Sequence, residues 1–158
     1  MDNKTEKESS TNELLEIMSK TKKADLASCL AKYSDNFVGE RVFTEYMRGI
    51  FEKKKISQQD IFRKAEIPEK YGYRLVSGER VTRQRDIILR LCIAAGFTLK
   101  ETQQALKYYH MPELYARFPR EAVLIIALNN KVRDVSEVDE LLAARQMEKL
   151  TTCGREED

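Results

Sequence analysis

The segment ISQQDIFRKAEIPEKYGYRLVSGER, residues 56–80, predicts two short helices joined by a tight turn. Ser57 stands where an N-cap is needed, with Asp60 three residues further on, close to a capping box. Pro68 disfavours helical geometry at the residue before it but is tolerated in the first turn of the next helix. Gly78 is a natural C-terminal terminator, so the second helix is predicted over residues 68–77, from Pro68 to Ser77.

The second helix has an apolar face and a polar face. At about 100° per residue, Ile67, Tyr71 and Leu75 share one inward stripe. The polar side chains on the other side and its flank are Glu69, Lys70, Tyr73, Arg74 and Ser77. Three arginines follow in the loop and the next helix start, namely Arg80, Arg83 and Arg85.

Such a face is suited to DNA. The major groove, about 12 Å wide, admits a helix whose outward side chains reach base edges. Lys and Arg donate to guanine or phosphate, and Ser and Tyr hydrogen-bond to either. Packing is an equally good explanation for the Tyr71 and Tyr73 pair, so that alternative stays open.

Charge is distributed unevenly along the chain. From Glu40 to Arg85, twelve Lys and Arg stand against seven Asp and Glu, a net charge of +5. From Glu121 to the end, five basic residues stand against nine acidic ones, a net charge of −4. The middle of the chain is therefore the basic end of a polarised molecule, as binding to phosphates requires.

Composition narrows the fold class to all-α. The chain has 158 residues, which suits one domain with extensions, and its six Gly and three Pro provide few of the turns of an all-β fold. Its three cysteines are Cys29, Cys92 and Cys153, too far apart for a CxxC motif. No apolar run is long enough to span a membrane, and the polar N-terminus does not resemble a secretory signal. We therefore expect a soluble, cytoplasmic protein with reduced thiols.

Nothing in the sequence predicts a catalytic, metal or cofactor site. His110 is the only histidine, and no cysteine lies near it in sequence. The acidic residues have no spacing typical of a metal site or of a carboxyl pair with a raised pKa. No glycine-rich phosphate loop is present. We expect a protein that is not an enzyme and has no cofactor.

The chain is predicted to have five segments. A disordered lead-in (1–10) precedes N-terminal helices (11–38), the first of them capped by Thr11, and then a helix-turn-helix domain (39–110). A C-terminal helical extension (111–150) and a flexible tail (151–158) complete the chain. Helices over 121–129 and 135–150 are candidates for a dimer, effector or protein-partner surface.

A weak internal repeat joins the last two helix pairs. The stretch from Asp86 resembles the stretch from Glu121, each being an apolar helix, a break, a capping residue and a second helix. The predicted caps are Thr98, whose capping box Glu101 completes, and Asp134. The offset is about 35 residues, the length of a helical-hairpin repeat. Two stacked hairpins and a chance likeness between two helix pairs are both compatible with this pattern.

Residues 41–109 resemble the DNA-binding domain of the lambda-repressor-like (XRE) family. The matching features are Ser57–Gln58 opening one helix, Ile67 after the turn, Gly78 followed by Arg80, and the later segment AGFTLKET. The resemblance implies a helix-turn-helix bundle, here extended by N-terminal helices and C-terminal hairpins, as in a bacterial subgroup. It further implies that Gln58 binds a phosphate and that Glu69, Lys70 and Tyr73 contact bases. The resemblance implies the same base-contacting role less strongly for Arg74 and Ser77.

Three residues depart from the family pattern. Glu66 occupies a turn position where glycine is usual, so the turn must differ in its backbone or carry strain. Gly72 replaces a branched apolar residue, which costs about 1 kcal/mol of helix stability relative to Ala and leaves a core site empty unless Tyr71 or Tyr73 enters it. Glu69 brings a negative charge towards phosphates.

The leading hypothesis is a sequence-specific DNA-binding transcriptional regulator. Its helix 68–77 would lie in the major groove, with Gln58, Arg80 and Arg83 on phosphates, and a homodimer would read two half-sites about one helical turn apart. Two alternatives remain: a helical adaptor that binds a protein partner through a degenerate helix-turn-helix fold, and an antitoxin or phage-type repressor with the same DNA chemistry.

Overall fold

The computed structural model describes residues 10–37 and 40–152. All regular secondary structure in these ranges is helical, which confirms the all-α fold class. In chain order the α-helices are α1 (Thr11–Lys20), α2 (Leu26–Lys32), α3 (Glu40–Lys54), α4 (Gln58–Lys64), α5 (Glu69–Ser77), α6 (Arg85–Ala94), α7 (Leu99–Tyr108), α8 (Pro119–Asn129) and α9 (Val135–Ala143). They belong to two compact units that divide after Phe37.

The N-terminal unit consists of two short helices joined by a turn, called here the N-terminal hairpin. Helix α1 begins with a complete capping box: the Ser10 hydroxyl accepts from the Glu13 N–H, and the Glu13 carboxylate accepts from the Ser10 N–H. The predicted cap, Thr11, is instead the first helical residue. The predicted lead-in lies outside the described residues except for Ser10. Single 3-10 turns, Lys23–Asp25 and Ser34–Asn36, precede and follow α2.

Helix α6 lies at the centre of the larger unit. Residues 87–94 are all buried, so this helix is surrounded on every side, as its apolar sequence, interrupted only by Arg90 in this range, indicates. It packs against α4, α7 and α9, while α3 packs against α5 and α7, and α8 packs against α7 and α9. The C-terminal helices therefore complete the same core as the helices around α5.

The same short link joins several of these helices. After α3, Lys55 adopts a left-handed φ of 54°, and the N–H of Ile56 bonds back to the Phe51 carbonyl at 3.2 Å. After α6, Gly96 has a φ of 70°, and the Phe97 N–H bonds to the Cys92 carbonyl at 2.9 Å. In both links an apolar residue follows the left-handed one, and a capping residue then starts the next helix.

The last four helices form two helical hairpins, one of the two alternatives left open by the internal repeat. Helices α6 and α7 pack together, as do α8 and α9. Lys131 follows α8 with a φ of 58°, 35 positions after Gly96, and its link has the same backbone hydrogen bonds. Thr98 forms the predicted capping box with Glu101, and Asp134 caps α9 by accepting from the Ser136 N–H at 2.8 Å.

The last helix is shorter than predicted. It ends at Ala143 rather than Leu150, because Gln146 takes a φ of 58° and the Met147 N–H turns back to the Leu142 carbonyl at 3.0 Å. Leu150 is buried, and its N–H donates to the Asp139 carboxylate at 2.8 Å. We call residues 147–152 the C-terminal strap. The predicted tail lies outside the described residues from position 153 onward.

Candidate nucleic-acid interface

Helix α4 starts where the sequence predicts. The Ser57 hydroxyl accepts from the Asp60 N–H at 3.2 Å, which satisfies one of the free donors at the helix start. Ile61 and Phe62 are fully buried and fix the helix to the core. Gln58, the predicted phosphate contact, is half-buried in the first turn.

The turn between α4 and α5 carries backbone strain at Glu66. This residue has a φ of 57°, a left-handed conformation that glycine adopts without a steric cost. The Ile67 N–H closes the turn on the Phe62 carbonyl at 2.9 Å, and the Ile67 side chain is buried. Of the two outcomes anticipated for this departure from the family pattern, the structure has the strained one.

Gly72 makes room for an aromatic ring. A Cβ atom at this position would lie 2.5 Å from Phe62 Cδ1, closer than side-chain carbons approach. Phe62 therefore fills the core site that the sequence suggested would be left empty or taken by a tyrosine. Tyr71 stays half-buried, and the Tyr73 ring packs edge-on against Phe62 with the ring centroids 5.0 Å apart.

Helix α5 has a buried face and an exposed face, although Tyr71, predicted to face inward, is only half-buried. Its inward residues Leu75 and Val76 are fully buried, together with Gly72. Helix α5 begins at Glu69, with Pro68 as its N-cap, and ends at Gly78, whose φ is 82°. The predicted contact residues that are exposed on α5 are Glu69, Lys70, Tyr73 and Ser77.

Three side chains of this face, Arg74, Ser77 and Glu69, have local partners. Arg74 is partly exposed, with its Nε 3.5 Å from the Glu79 carboxylate. The Ser77 hydroxyl donates to the Arg74 carbonyl at 3.1 Å and accepts from the Glu79 N–H at 3.3 Å, so it finishes the helix end. The Glu69 carboxylate accepts from the Gln59 amide at 3.5 Å.

The arginines after α5 lie in different environments. Arg80 is half-buried, with its guanidinium 5.9 Å from the centre of the Tyr71 ring. Arg83 is exposed. Arg85 is mostly covered and pairs with Glu121 at 2.9 Å. Of the basic residues predicted on and after α5, Lys70 and Arg83 are thus exposed, while Arg74, Arg80 and Arg85 have contacts within the chain.

A buried arginine contacts the turn between α4 and α5 from the core side. This residue was not among those predicted from the sequence. Arg90 is fully buried in α6, and its guanidinium donates to the carbonyls of Ala65 at 3.0 Å, Leu150 at 2.9 Å and Thr151 at 2.7 Å. The carboxylates of Glu66 and Asp139 each lie 3.8 Å from it. The signal was present in the sequence, because a cation inside the apolar run IILRLCIAA needs buried partners.

A second polar cluster fastens the C-terminal strap to α6. Arg120 donates to both oxygens of Asp86, at 3.3 and 2.9 Å, and to the carbonyls of Glu148 and Lys149. The Thr151 N–H and hydroxyl also donate to Asp86, at 3.0 and 3.1 Å. The strap is therefore held by two arginines and joined through Arg90 to the turn that precedes α5.

Several carboxyl groups are stabilised in their charged form. Burial raises the pKa of Asp86, but hydrogen bonds from Arg120 and Thr151 outweigh it, and the pKa lies below its ordinary value. Burial likewise raises the pKa of Glu101, and bonds from Thr98 and Lys54 turn the net shift downward. The hydrogen bond from Arg85 lowers the pKa of Glu121.

These shifts predict a protein that loses stability in acid. A carboxyl whose folded-state pKa is lowered stabilises the fold above its unfolded value, here 3.8 for Asp86 and 4.5 for Glu101 and Glu121. That contribution is lost as the pH falls through the lowered folded-state values. Urea unfolding from neutral pH downward should show the loss, with a shallower acid slope in Asp86→Asn. Equal slopes in the two proteins would contradict the role of Asp86.

Two further groups titrate outside the neutral range. Burial, followed by the nearby Glu101 carboxylate, raises the pKa of Tyr46 to about 12. Burial also raises the pKa of the Cys92 thiol well above its ordinary value, which leaves it protonated.

Within residues 10–37 and 40–152, no three His, Cys, Asp or Glu side chains are grouped to hold a metal ion. No helix in these ranges is long and apolar enough to cross a bilayer.

Comparison with known proteins gave no match. Neither the models of known protein families, nor the curated protein sequences, nor the solved structures contain a significant likeness to this chain.

Proposed function

We propose that this chain is a DNA-binding transcriptional regulator of the helix-turn-helix type, and that α5 enters the major groove. The observation that carries the proposal is the division of α5 into a buried face and an exposed face with Lys70 and Tyr73. A helix of nine residues is about 14 Å long, enough to follow the groove over several base pairs. Such a regulator would act in the bacterial cytoplasm, where it meets the chromosome.

Charge supports the same placement. The net charge of +5 between Glu40 and Arg85 would draw this end of the molecule towards phosphates. Lys70 is at the start of the exposed face, and Arg83 follows the helix in the loop before α6. In this proposal Lys70 and Tyr73 contact bases, and Gln58, Arg80 and Arg83 contact phosphates.

The variant Lys70→Glu/Arg74→Glu reverses two charges on α5. We expect it to bind DNA at least about tenfold more weakly than the wild type. The reason is that two cations at the groove become anions, whereas the fold keeps its core, since both side chains are at least partly exposed. Duplexes selected from genomic fragments would be titrated by fluorescence anisotropy over a salt series. The slope of log affinity against log salt should also fall, because the variant brings two negative charges towards the duplex.

The matched control is Lys100→Glu/Lys131→Glu, which changes the net charge equally at exposed positions of α7 and of the link after α8. It should bind within about twofold of the wild type, because these lysines are not on the proposed face. Glu69→Gln should bind more tightly, since it removes an anion next to the phosphates. Equal losses of affinity in the two double variants would reject α5 as the groove-binding helix.

A helical adaptor is the second candidate, and the acidic partners of the cationic face favour it. Glu79 is paired with Arg74, and Glu69 stands beside Lys70 in sequence, so part of the positive charge is neutralised locally. A folded protein that retains no duplex at low salt would favour the adaptor. An antitoxin or phage-type repressor would bind DNA as the regulator does, and only its target sites would distinguish it.

A further inference from the structure

The N-terminal unit exposes an unusual share of large apolar side chains. Its helices bury none of their residues. The exposed large apolar side chains in residues 10–37 are Leu15, Met18, Leu26, Leu30 and Phe37, with 39% to 62% of their surface open. Residues 40–152, a range four times longer, expose the same number on four separate segments. The hairpin therefore has apolar faces without a core of its own.

The two helices of the hairpin form an open apolar groove. Its volume is about 330 Å³, and its apolar walls come from Met18, Leu26, Cys29, Leu30 and Phe37. Thr21, Lys22 and Lys23 complete the lining at the end of α1. The groove lies entirely within residues 18–37, so it is a property of this unit alone.

The charges on α1 are arranged in two groups. Glu13 and Glu16 lie in its first two turns, while Lys20, Lys22 and Lys23 lie at its end and in the following turn. Glu16 and Lys20 pair with each other within the helix at 2.9 Å, and both are exposed. An antiparallel copy of α1 would place the acidic end of each helix beside the basic end of the other. The two-fold axis would then pass near Ile17 and Met18, midway between Glu13 and Lys22. An apolar centre with oppositely charged ends is self-complementary about such an axis.

We propose that residues 10–37 form a self-association surface that binds the same surface of a second copy of this chain. Two hairpins would pair about a two-fold axis, with Leu15, Met18 and Leu30 enclosed between them, as in a four-helix arrangement. The helices first suggested as a dimer surface turn their apolar faces into the core. Leu124, Leu128, Val138 and Leu142 are buried there. The inference holds whether or not the larger unit binds DNA.

The first test is the mass of the full chain in solution. Sedimentation velocity should give a dimer for the wild type and a monomer for Leu15→Glu/Leu30→Glu. The control Ile126→Glu introduces the same charge at an exposed apolar position of α8 and should remain a dimer. A monomeric wild type, or a dimer that survives Leu15→Glu/Leu30→Glu, would overturn the proposal. A monomeric wild type whose melting temperature falls in that variant would show that the face packs within its own chain, which also overturns it.

The second test uses the charges. Lys22→Glu/Lys23→Glu makes α1 and its following turn acidic, and Glu16→Lys makes them basic while it leaves the capping box of Ser10 and Glu13 intact. Each variant alone should dissociate at least tenfold more readily than the wild type at low salt. An equimolar mixture should form a heterodimer, because each helix then meets its opposite. A mixture that stays monomeric, or variants that dimerise as well as the wild type, would rule out the antiparallel arrangement.

Discussion

Replacing Arg90 with methionine is expected to lower the free energy of unfolding by about 3–5 kcal/mol. Methionine fills a similar volume but has no donor, so the carbonyls of Ala65 and Leu150 lose their buried partner. The Asp139 carboxylate, mostly covered, would lose the cation 3.8 Å away. Urea unfolding followed by far-UV circular dichroism measures the change.

The control for Arg90 is Arg145→Met. Arg145 is exposed in the segment after α9 and its guanidinium donates to the nearby Leu141 carbonyl at 3.2 Å, so this change should cost less than about 0.5 kcal/mol. Arg90→Lys should be intermediate, because one ammonium cannot reach carbonyls on three sides as a guanidinium does.

Loss of Arg90 should also release the C-terminal strap. Trypsin should then cleave after Lys149 faster in Arg90→Met than in the wild type, since two of the guanidinium's bonds are to Leu150 and Thr151. A destabilisation below about 1 kcal/mol, with cleavage unchanged, would mean that water replaces the guanidinium and that the cluster is not important for stability.

Gly72→Ala is expected to destabilise the protein by about 1–3 kcal/mol, the opposite of the usual effect of alanine in a helix. The new methyl group would stand 2.5 Å from the Phe62 ring, which is fully buried and cannot swing into solvent. The ring and α5 must move apart, and this strain exceeds the roughly 1 kcal/mol that alanine contributes over glycine. Thermal and urea unfolding measure the net change.

Gly49→Ala is the matched control for Gly72→Ala. Gly49 is exposed within α3 and has no atom within 4 Å of an added Cβ, so alanine there should stabilise by about 0.5–1 kcal/mol. Adding Phe62→Leu to the Gly72→Ala variant should recover part of the stability that Gly72→Ala removes, since the smaller side chain leaves space for the methyl group. If Gly72→Ala stabilises as much as Gly49→Ala, the close packing of Phe62 against α5 is wrong.

Local sequence signals located the helices well. Ser57, Thr98 and Asp134 cap the helices that they were predicted to cap, and Gly78 ends α5. These signals succeed because a cap is an interaction between residues two to four positions apart. The end of α9 was misplaced, because the residues after Ala143 still favour helix, whereas tertiary contacts of the C-terminal strap, among them that of Leu150 with Asp139, draw the chain away.

The candidate site was predictable in part. The inward and outward faces of α5 followed from helical spacing, and the buried Ile67 and Leu75 agree with it. The sequence could not predict which basic side chains have contacts within the chain. In the folded chain Arg74 pairs with Glu79, and Arg80 lies against the Tyr71 ring. Arg90 was missed because its acceptors lie 25 and 60 residues away along the chain.

The order of residues along the chain was enough to establish the all-α class, most helix boundaries and the uneven distribution of charge between the middle and the end of the chain. These properties depend on propensity, periodicity and neighbours within one turn of helix. Tertiary structure decided that Phe62 occupies the place beside Gly72, that Glu66 holds a left-handed turn, and that α8 and α9 use their apolar faces in the core. Each of these depends on packing between separate helices, whose free energies arise only when the core closes.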